Sequence, residues 1–176
     1  MTIRFKGQVH EIVEFLHVKP GKGHAFVRSK LKNLETGKIY ENTFRGGEKV
    51  EQVILETKSM QYLYREKETL VFMDLETFEQ EHIPLELLEG KDKFLKDGLE
   101  IIVVIAEGKM LAVQVPHTVE LEVTEASPGV AGNTVQGGTK QVTLETGAVI
   151  QVPLFIEKGE RVKVDTRKGE YLERVK

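Results

Sequence analysis

Hydrophobic and polar positions alternate with a period of two along most of the chain, and the 3.6-residue period of an amphipathic helix is nearly absent. Residues 2–6 alternate and stop at Gly7. Residues 9–18 are rich in Val, Ile and Phe, and after a loop the strand pattern resumes at 25–31, 38–44 and 50–56. Glu35-Thr36-Gly37 and Arg45-Gly46-Gly47 supply turns between them. Such a run of short strands within residues 1–57 predicts a small SH3-like barrel. From 58 to 120 the pattern predicts strands at 60–64, 70–73 and 77–82, then a hairpin of 100–106 and 110–115 around Glu107-Gly108-Lys109. Leu85, Leu87, Leu88, Phe94 and Leu95 stand among acids and predict one short helix within 84–96. From 121 to 176, strands at 142–144, 149–155, 161–165 and 171–175 alternate with polar turns at Glu157-Lys158-Gly159 and Arg167-Lys168-Gly169. Short strands joined by polar turns are the pattern of an OB-fold. The expected architecture is all-β, with three small barrels over 1–57, 58–120 and 121–176 and no Ser- or Pro-rich linker between them.

Charge is uneven along this series. The net charge of -3 conceals a first segment with ten Lys/Arg and seven Asp/Glu, a second with seven and thirteen, and a balanced third with eight of each. A basic first barrel on an acidic protein points to a polyanionic partner met at one end, or to a chance excess of a few charges.

Much catalytic chemistry is excluded. There is no cysteine, hence no disulfide, thiol nucleophile or thiolate metal site. His10, His17, His24, His82 and His117 lack the i, i+4 spacing of a helical zinc pair. Gly132 and Gly137 have the spacing of a phosphate loop, but Gly138 stands where that loop needs lysine. No apolar run approaches the roughly 20 residues of a membrane span, and the first residues lack the apolar stretch of a signal peptide. A cytoplasmic protein without membrane contact is expected.

One loop remains. Pro20 presets φ, Gly21 and Gly23 permit positive φ, and neither glycine screens Lys22 with a side chain. Phe15 and Phe26 flank the loop as expected barrel anchors. Lys19 precedes it, and Arg28, Lys30 and Lys32 follow at strand spacing, on one face. The outcome is either a basic stripe leading to an outthrust amine, suited to a nucleic-acid backbone, or a solvated turn lysine beside an edge strand protected by charge.

Lys19-Pro20-Gly21-Lys22-Gly23, followed by Ala25-Phe26-Val27-Arg28-Ser29-Lys30-Leu31-Lys32-Asn33, resembles the bacterial translation elongation factor P family. Further blocks recur in order: Thr43-Phe44, Met60-Gln61-Tyr62-Leu63-Tyr64, Glu76-Thr77-Phe78-Glu79-Gln80, Gly137-Gly138-Thr139-Lys140, Val152-Pro153-Leu154-Phe155 and Val164-Asp165-Thr166-Arg167 with Gly169-Glu170-Tyr171. The resemblance implies three barrels in an L-shaped, tRNA-like arrangement. It implies a monomeric factor, not an enzyme, that binds the ribosome between the peptidyl and exit sites and relieves stalling at consecutive prolines. Lys22 would reach the acceptor end of an initiator or prolyl peptidyl-tRNA. The resemblance further implies covalent lengthening of Lys22 by a lysine-modifying enzyme, as hypusine does in the related factor of eukaryotes and archaea, and no dissociable cofactor. Contacts to tRNA or rRNA are expected from Lys19, His24, Arg28, Lys30 and Lys32. They are also expected from Gly132-Asn133-Thr134, where the family has Gly-Asp-Thr facing the exit-site codon, and from Arg167, Tyr171 and Arg174. Asn133 keeps the carbonyl acceptor of Asp but loses its charge and gains donors. His24 either covers the barrel rim or stacks on a base, and Tyr171 is either a contact or a core residue of a closing strand. The competing reading is a general single-stranded RNA-binding OB-fold protein with no ribosomal role.

Overall fold

The computed structural model describes residues 1–128 and 138–176. These form fifteen strands in three five-stranded sheets, with two single-turn 3-10 helices. The chain divides into two compact units. One joins Met1–Lys58 to Val103–Ala112, and the other joins Ser59–Ile102 to Val113–Lys176.

In the first unit, β1 (Thr2–Phe5), β2 (Gln8–Val18), β3 (Phe26–Asn33), β4 (Ile39–Arg45) and β5 (Glu51–Gln52) form an antiparallel sheet of order β4-β3-β2-β1-β5. Lys6 and Gly7 both take positive φ, as a two-residue hairpin turn requires. Ile3, Leu31 and Phe44 form the core, with Phe5, Ile12 and Val27 packed against it. A bulge between Ile12 and Glu14 shifts the β2–β3 register, so that Ile12 faces Leu31 and Glu14 faces Lys30. A second cluster gathers Val9 and Val53 with Ala106 and Leu111. His10 is 1% exposed. Its Nδ1–H donates to the Gln8 carbonyl at 3.0 Å, so its Nε2 accepts from the Tyr40 hydroxyl at 2.5 Å. The buried imidazole is therefore satisfied at both nitrogens, and its role is structural.

The second sheet has order β10-β9-β6-β7-β8, built from β6 (Leu55–Glu66), β7 (Thr69–Asp74), β8 (Gln80–Pro84), β9 (Glu100–Ala106) and β10 (Lys109–Gln114). The single helix expected within 84–96 is instead two 3-10 turns, Leu85–Leu88 and Lys91–Phe94. The apolar spacing was present, but Glu89 and Gly90 both adopt left-handed backbone, φ 51° and 82°, and this ends the first turn before a helix can propagate.

The third sheet, of order β13-β12-β11-β14-β15, contains β11 (Thr118–Ala126), β12 (Thr139–Leu144), β13 (Val149–Pro153), β14 (Arg161–Asp165) and β15 (Glu170–Val175). Its core includes Leu121, Val123, Leu144, Val152, Ile156, Val162 and Val164. Phe94, from the second 3-10 turn, belongs to this core and is 1% exposed. Around it the Thr146 hydroxyl donates to the Lys93 carbonyl at 2.6 Å, and Lys96 pairs with Glu145 at 3.2 Å. The β8–β9 connection thus supplies a core residue to the third sheet.

Candidate functional site

The β2–β3 hairpin carries the lysine loop. Lys19, Pro20, Gly21, Lys22, Gly23 and His24 are all exposed. Gly23 has φ 137°, a value L side chains rarely adopt, whereas Gly21 does not use positive φ. Lys22 makes no hydrogen bond or ion pair among the described residues. Its ammonium stands in solvent at the tip of a bend shaped by Pro20 and Gly23.

The root of the loop is fixed by Gly46, which the sequence pattern marks only as part of a turn. Gly46 N–H donates to the Ala25 carbonyl at 2.8 Å, and a Cβ on Gly46 would lie 2.8 Å from that same oxygen. Backbone meets backbone here, so a side chain cannot be accommodated without moving the loop exit. We expect Gly46→Ala to cost about 1–3 kcal/mol, the usual range for overpacking, measured as a lower urea midpoint by circular dichroism. An unchanged midpoint would show that Ala25 yields easily.

Behind the loop, Arg28, Lys30 and Lys32 do share one face of β3, alternating with buried Ser29, Leu31 and Asn33. Two expectations change. First, β3 is hydrogen-bonded on both sides, so it is not an edge strand needing charge for protection. Second, the stripe is not bare. Lys30 Nζ lies 2.6 Å from Glu14, and that hydrogen bond, followed by the carboxylate's charge and that of Glu41, pushes the Lys30 pKa up. Lys32 faces Glu11 in register, and Lys30 faces Glu41 on its other side. Arg28 lies 5.9 Å from the Phe26 ring. Each cation thus has an acid or a ring beside it. Phe15 is not a barrel anchor: it is 70% exposed, because the hairpin extends beyond the packed part of the sheet. Phe26 is half-buried.

In the third sheet, Arg167 turns back on Asp165. Its Nη2–H donates to Oδ2 at 2.8 Å and its Nε–H to Oδ1 at 3.2 Å, while the Arg167 and Lys168 backbone N–H groups donate to Oδ1. These donors, the Arg167 side chain first, hold the Asp165 carboxyl far below the usual carboxylate range despite its burial. A depressed folded-state pKa adds stability above the unfolded value and loses it as pH falls below about 4. Asp165→Asn should therefore flatten the acid limb of a melting temperature against pH profile; an unaltered limb would mean the pair contributes nothing there. Arg174 bonds Glu160 at 3.2 Å and lies 5.6 Å from the Phe155 ring. Tyr171, on β15, is half-buried and packs against the core. Gly132, Asn133 and Thr134 lie outside the described residues.

Three family models match the chain in succession: the elongation factor P KOW-like domain over residues 1–50, the elongation factor P OB domain over 55–113 and the elongation factor P C-terminal domain over 119–174. The chain belongs to the elongation factor P family. Curated members include elongation factor P of Moorella thermoacetica, 54% identical over 174 residues, covering 99% of this chain and 94% of that one. Elongation factor P of Acidothermus cellulolyticus is 53% identical, covering 99% and 93%. A solved structure of a translation initiation factor eIF-5A family protein from Naegleria fowleri superposes on 65% of this chain and 89% of its own, with a TM-score of 0.52 and 21% identity, a likeness of fold. The KOW-like and OB domains agree with an SH3-like barrel followed by OB-folds. The chain is a translation elongation factor, and the reading as a general RNA-binding barrel protein is not favoured.

Proposed function

We propose that Lys22 acts on the ribosome by placing its amine against the acceptor end of peptidyl-tRNA, between the peptidyl and exit sites, when consecutive prolines slow peptide bond formation. The observation that carries this reading is the loop itself: an exposed lysine without a partner among the described residues, at the tip of a bend shaped by Pro20 and Gly23 and held at its root by Gly46. Proline is a constrained, poorly reacting acceptor, and a nascent proline run displaces the donor end. Misplacement by about an ångström costs about 100-fold in rate, so a positioning group suffices. The ribosome makes the peptide bond; Lys22 is neither nucleophile nor base, and the protein is not an enzyme.

Covalent extension of Lys22 by a lysine-modifying enzyme fits the same loop. The exposed amine is accessible to such an enzyme, and a longer side chain extends its reach. Tryptic mass spectrometry of the protein purified from its own cells tests this: an unmodified Lys22 peptide excludes the extension. The positioning role is tested by adding the protein to a reconstituted translation system programmed with a Pro-Pro-Pro template. Pausing should be relieved, and no relief at saturating protein refutes the role.

A further inference from the structure

Three turns of this chain are built alike. In each, an Asn or Asp side chain accepts the backbone N–H groups two and three residues ahead, its backbone carbonyl accepts the N–H four ahead, and the fifth residue has positive φ. In the first, Asn33 Oδ1 accepts from Glu35 and Thr36 at 2.8 and 2.9 Å, and Gly37 closes the turn with φ 71°. In the second, Asp74 Oδ1 accepts from Glu76 and Thr77 at 2.8 and 3.2 Å, and Phe78 closes it with φ 61°. In the third, Asp165 Oδ1 accepts from Arg167 and Lys168 at 2.8 and 3.3 Å, and Gly169 closes it with φ 71°.

Two turns place glycine where the backbone demands left-handed φ, and the other places phenylalanine there. Left-handed backbone is unfavourable for any L residue with a bulky side chain. The cost is not recovered by packing, since the Phe78 ring is 70% exposed. The other non-glycine residues with positive φ among the described residues are Lys6, Lys67, Glu89 and Glu107, all charged and suited to water. Phe78 alone presents an apolar ring from such a position. Most of this ring is left to solvent by the fold, where an external partner would cover it: aromatic side chains are enriched at the cores of protein interfaces.

The chemistry of that partner follows from the surroundings. Glu76 and Glu79 lie close to Phe78 in sequence and are exposed, and residues 58–120 carry thirteen acids against seven bases. A phosphate backbone is repelled here. We propose that Phe78 anchors this turn to a positively charged protein surface that offers an apolar recess, with Glu76 and Glu79 facing the cations around it. On the reading above, that surface belongs to a protein of the ribosome.

The test uses the full chain and purified ribosomes stalled before proline codons. Phe78→Ala is expected to weaken ribosome binding at least tenfold, while Phe78→Gly, which relaxes the backbone, binds as weakly yet melts at or above the wild-type temperature. With a photoreactive phenylalanine derivative in place of Phe78, irradiation should yield a protein–protein cross-link to a basic ribosomal protein. Binding within twofold of wild type for Phe78→Ala overturns the proposal. A cross-link to ribosomal RNA, or to a second copy of this chain, overturns it as well. Lys22→Ala separates this inference from the positioning role: loss of stall relief with binding retained leaves the two sites independent. Wild-type protein that does not bind ribosomes at all refutes the ribosomal reading, and this proposal with it.

Discussion

Lys22→Ala should return peptide bond formation at a Pro-Pro-Pro template close to its rate without the factor. The expected loss is about 100-fold at the stalled step, the scale on which a small positional error slows an otherwise competent reaction. The loss should fall on the maximal rate and leave the concentration for half-maximal relief little changed, since an exposed side chain at a loop tip contributes little to holding the rest of the molecule in place. Stability should not move: Lys22 is exposed and makes no hydrogen bond or ion pair among the described residues, and exposed substitutions away from special backbone positions usually stay within about 0.5 kcal/mol. Lys22→Arg keeps the charge and loses the primary amine, so it separates a need for positive charge from a need for that amine or its extension. The measurement is single-turnover tripeptide synthesis with titrated factor. Relief by Lys22→Ala equal to that of the wild type would remove the lysine from the mechanism altogether.

Phe94→Ala should be the most damaging core substitution in the β8–β9 connection. Its ring is 1% exposed and sits among Val119, Leu121, Val142 and Val164 of the third sheet, with Gly169 so near that a Cβ there would lie 3.4 Å from Phe94 Cζ. Truncating a buried phenylalanine costs about 3–5 kcal/mol, a large part of the roughly 5–15 kcal/mol that holds a typical domain. For a chain of this size each kilocalorie lowers the melting temperature by roughly 2–4 °C, so calorimetry should show a clear fall. Phe155→Ala makes the control. That ring is 58% exposed beneath Arg174 and should shift the transition far less. Equal effects of the two would mean that Phe94 is not a working part of the third core.

Strands with strict alternation were legible before any coordinates. Arg161–Asp165 has the bounds the pattern indicates, with Val162 and Val164 buried and Arg161 and Lys163 less so, whereas Glu100–Ala106 is a continuous apolar run after Glu100, buried at every position from 103 to 106, whose end is marked by the Glu107-Gly108 turn. The short helix was misread because apolar spacing reports which side chains are buried, and not whether two consecutive residues adopt left-handed backbone. The lysine loop stood out through Pro20 and Gly23, whose backbone constraints are written in the residue type. The acids beside Lys30 and Lys32 were hidden for a different reason. A bulge sets the register of β2 against β3, and a bulge shifts every later cross-strand partner by one, so Glu14 could not be assigned to Lys30 from spacing. Gly46 was equally hidden, since its importance lies in a close approach to Ala25, distant in sequence. Phe78 became informative only when its backbone could be compared with Gly37 and Gly169.

The carboxylates beside the β3 cations bear on how this face responds to salt. Where a lysine meets a phosphate directly, added salt weakens the contact steeply, because ions displaced on binding compete for their places again. Lys30 and Lys32 begin from a different state, with Glu14 and Glu11 alongside. A phosphate arriving at Lys30 would displace the Glu14 carboxylate, and salt weakens the bond that would be broken as well as the bond that would be made. If this face meets a phosphate backbone, it would act as an ion exchanger, giving up attraction at long range and gripping only after a partner had been delivered by some other part of the molecule.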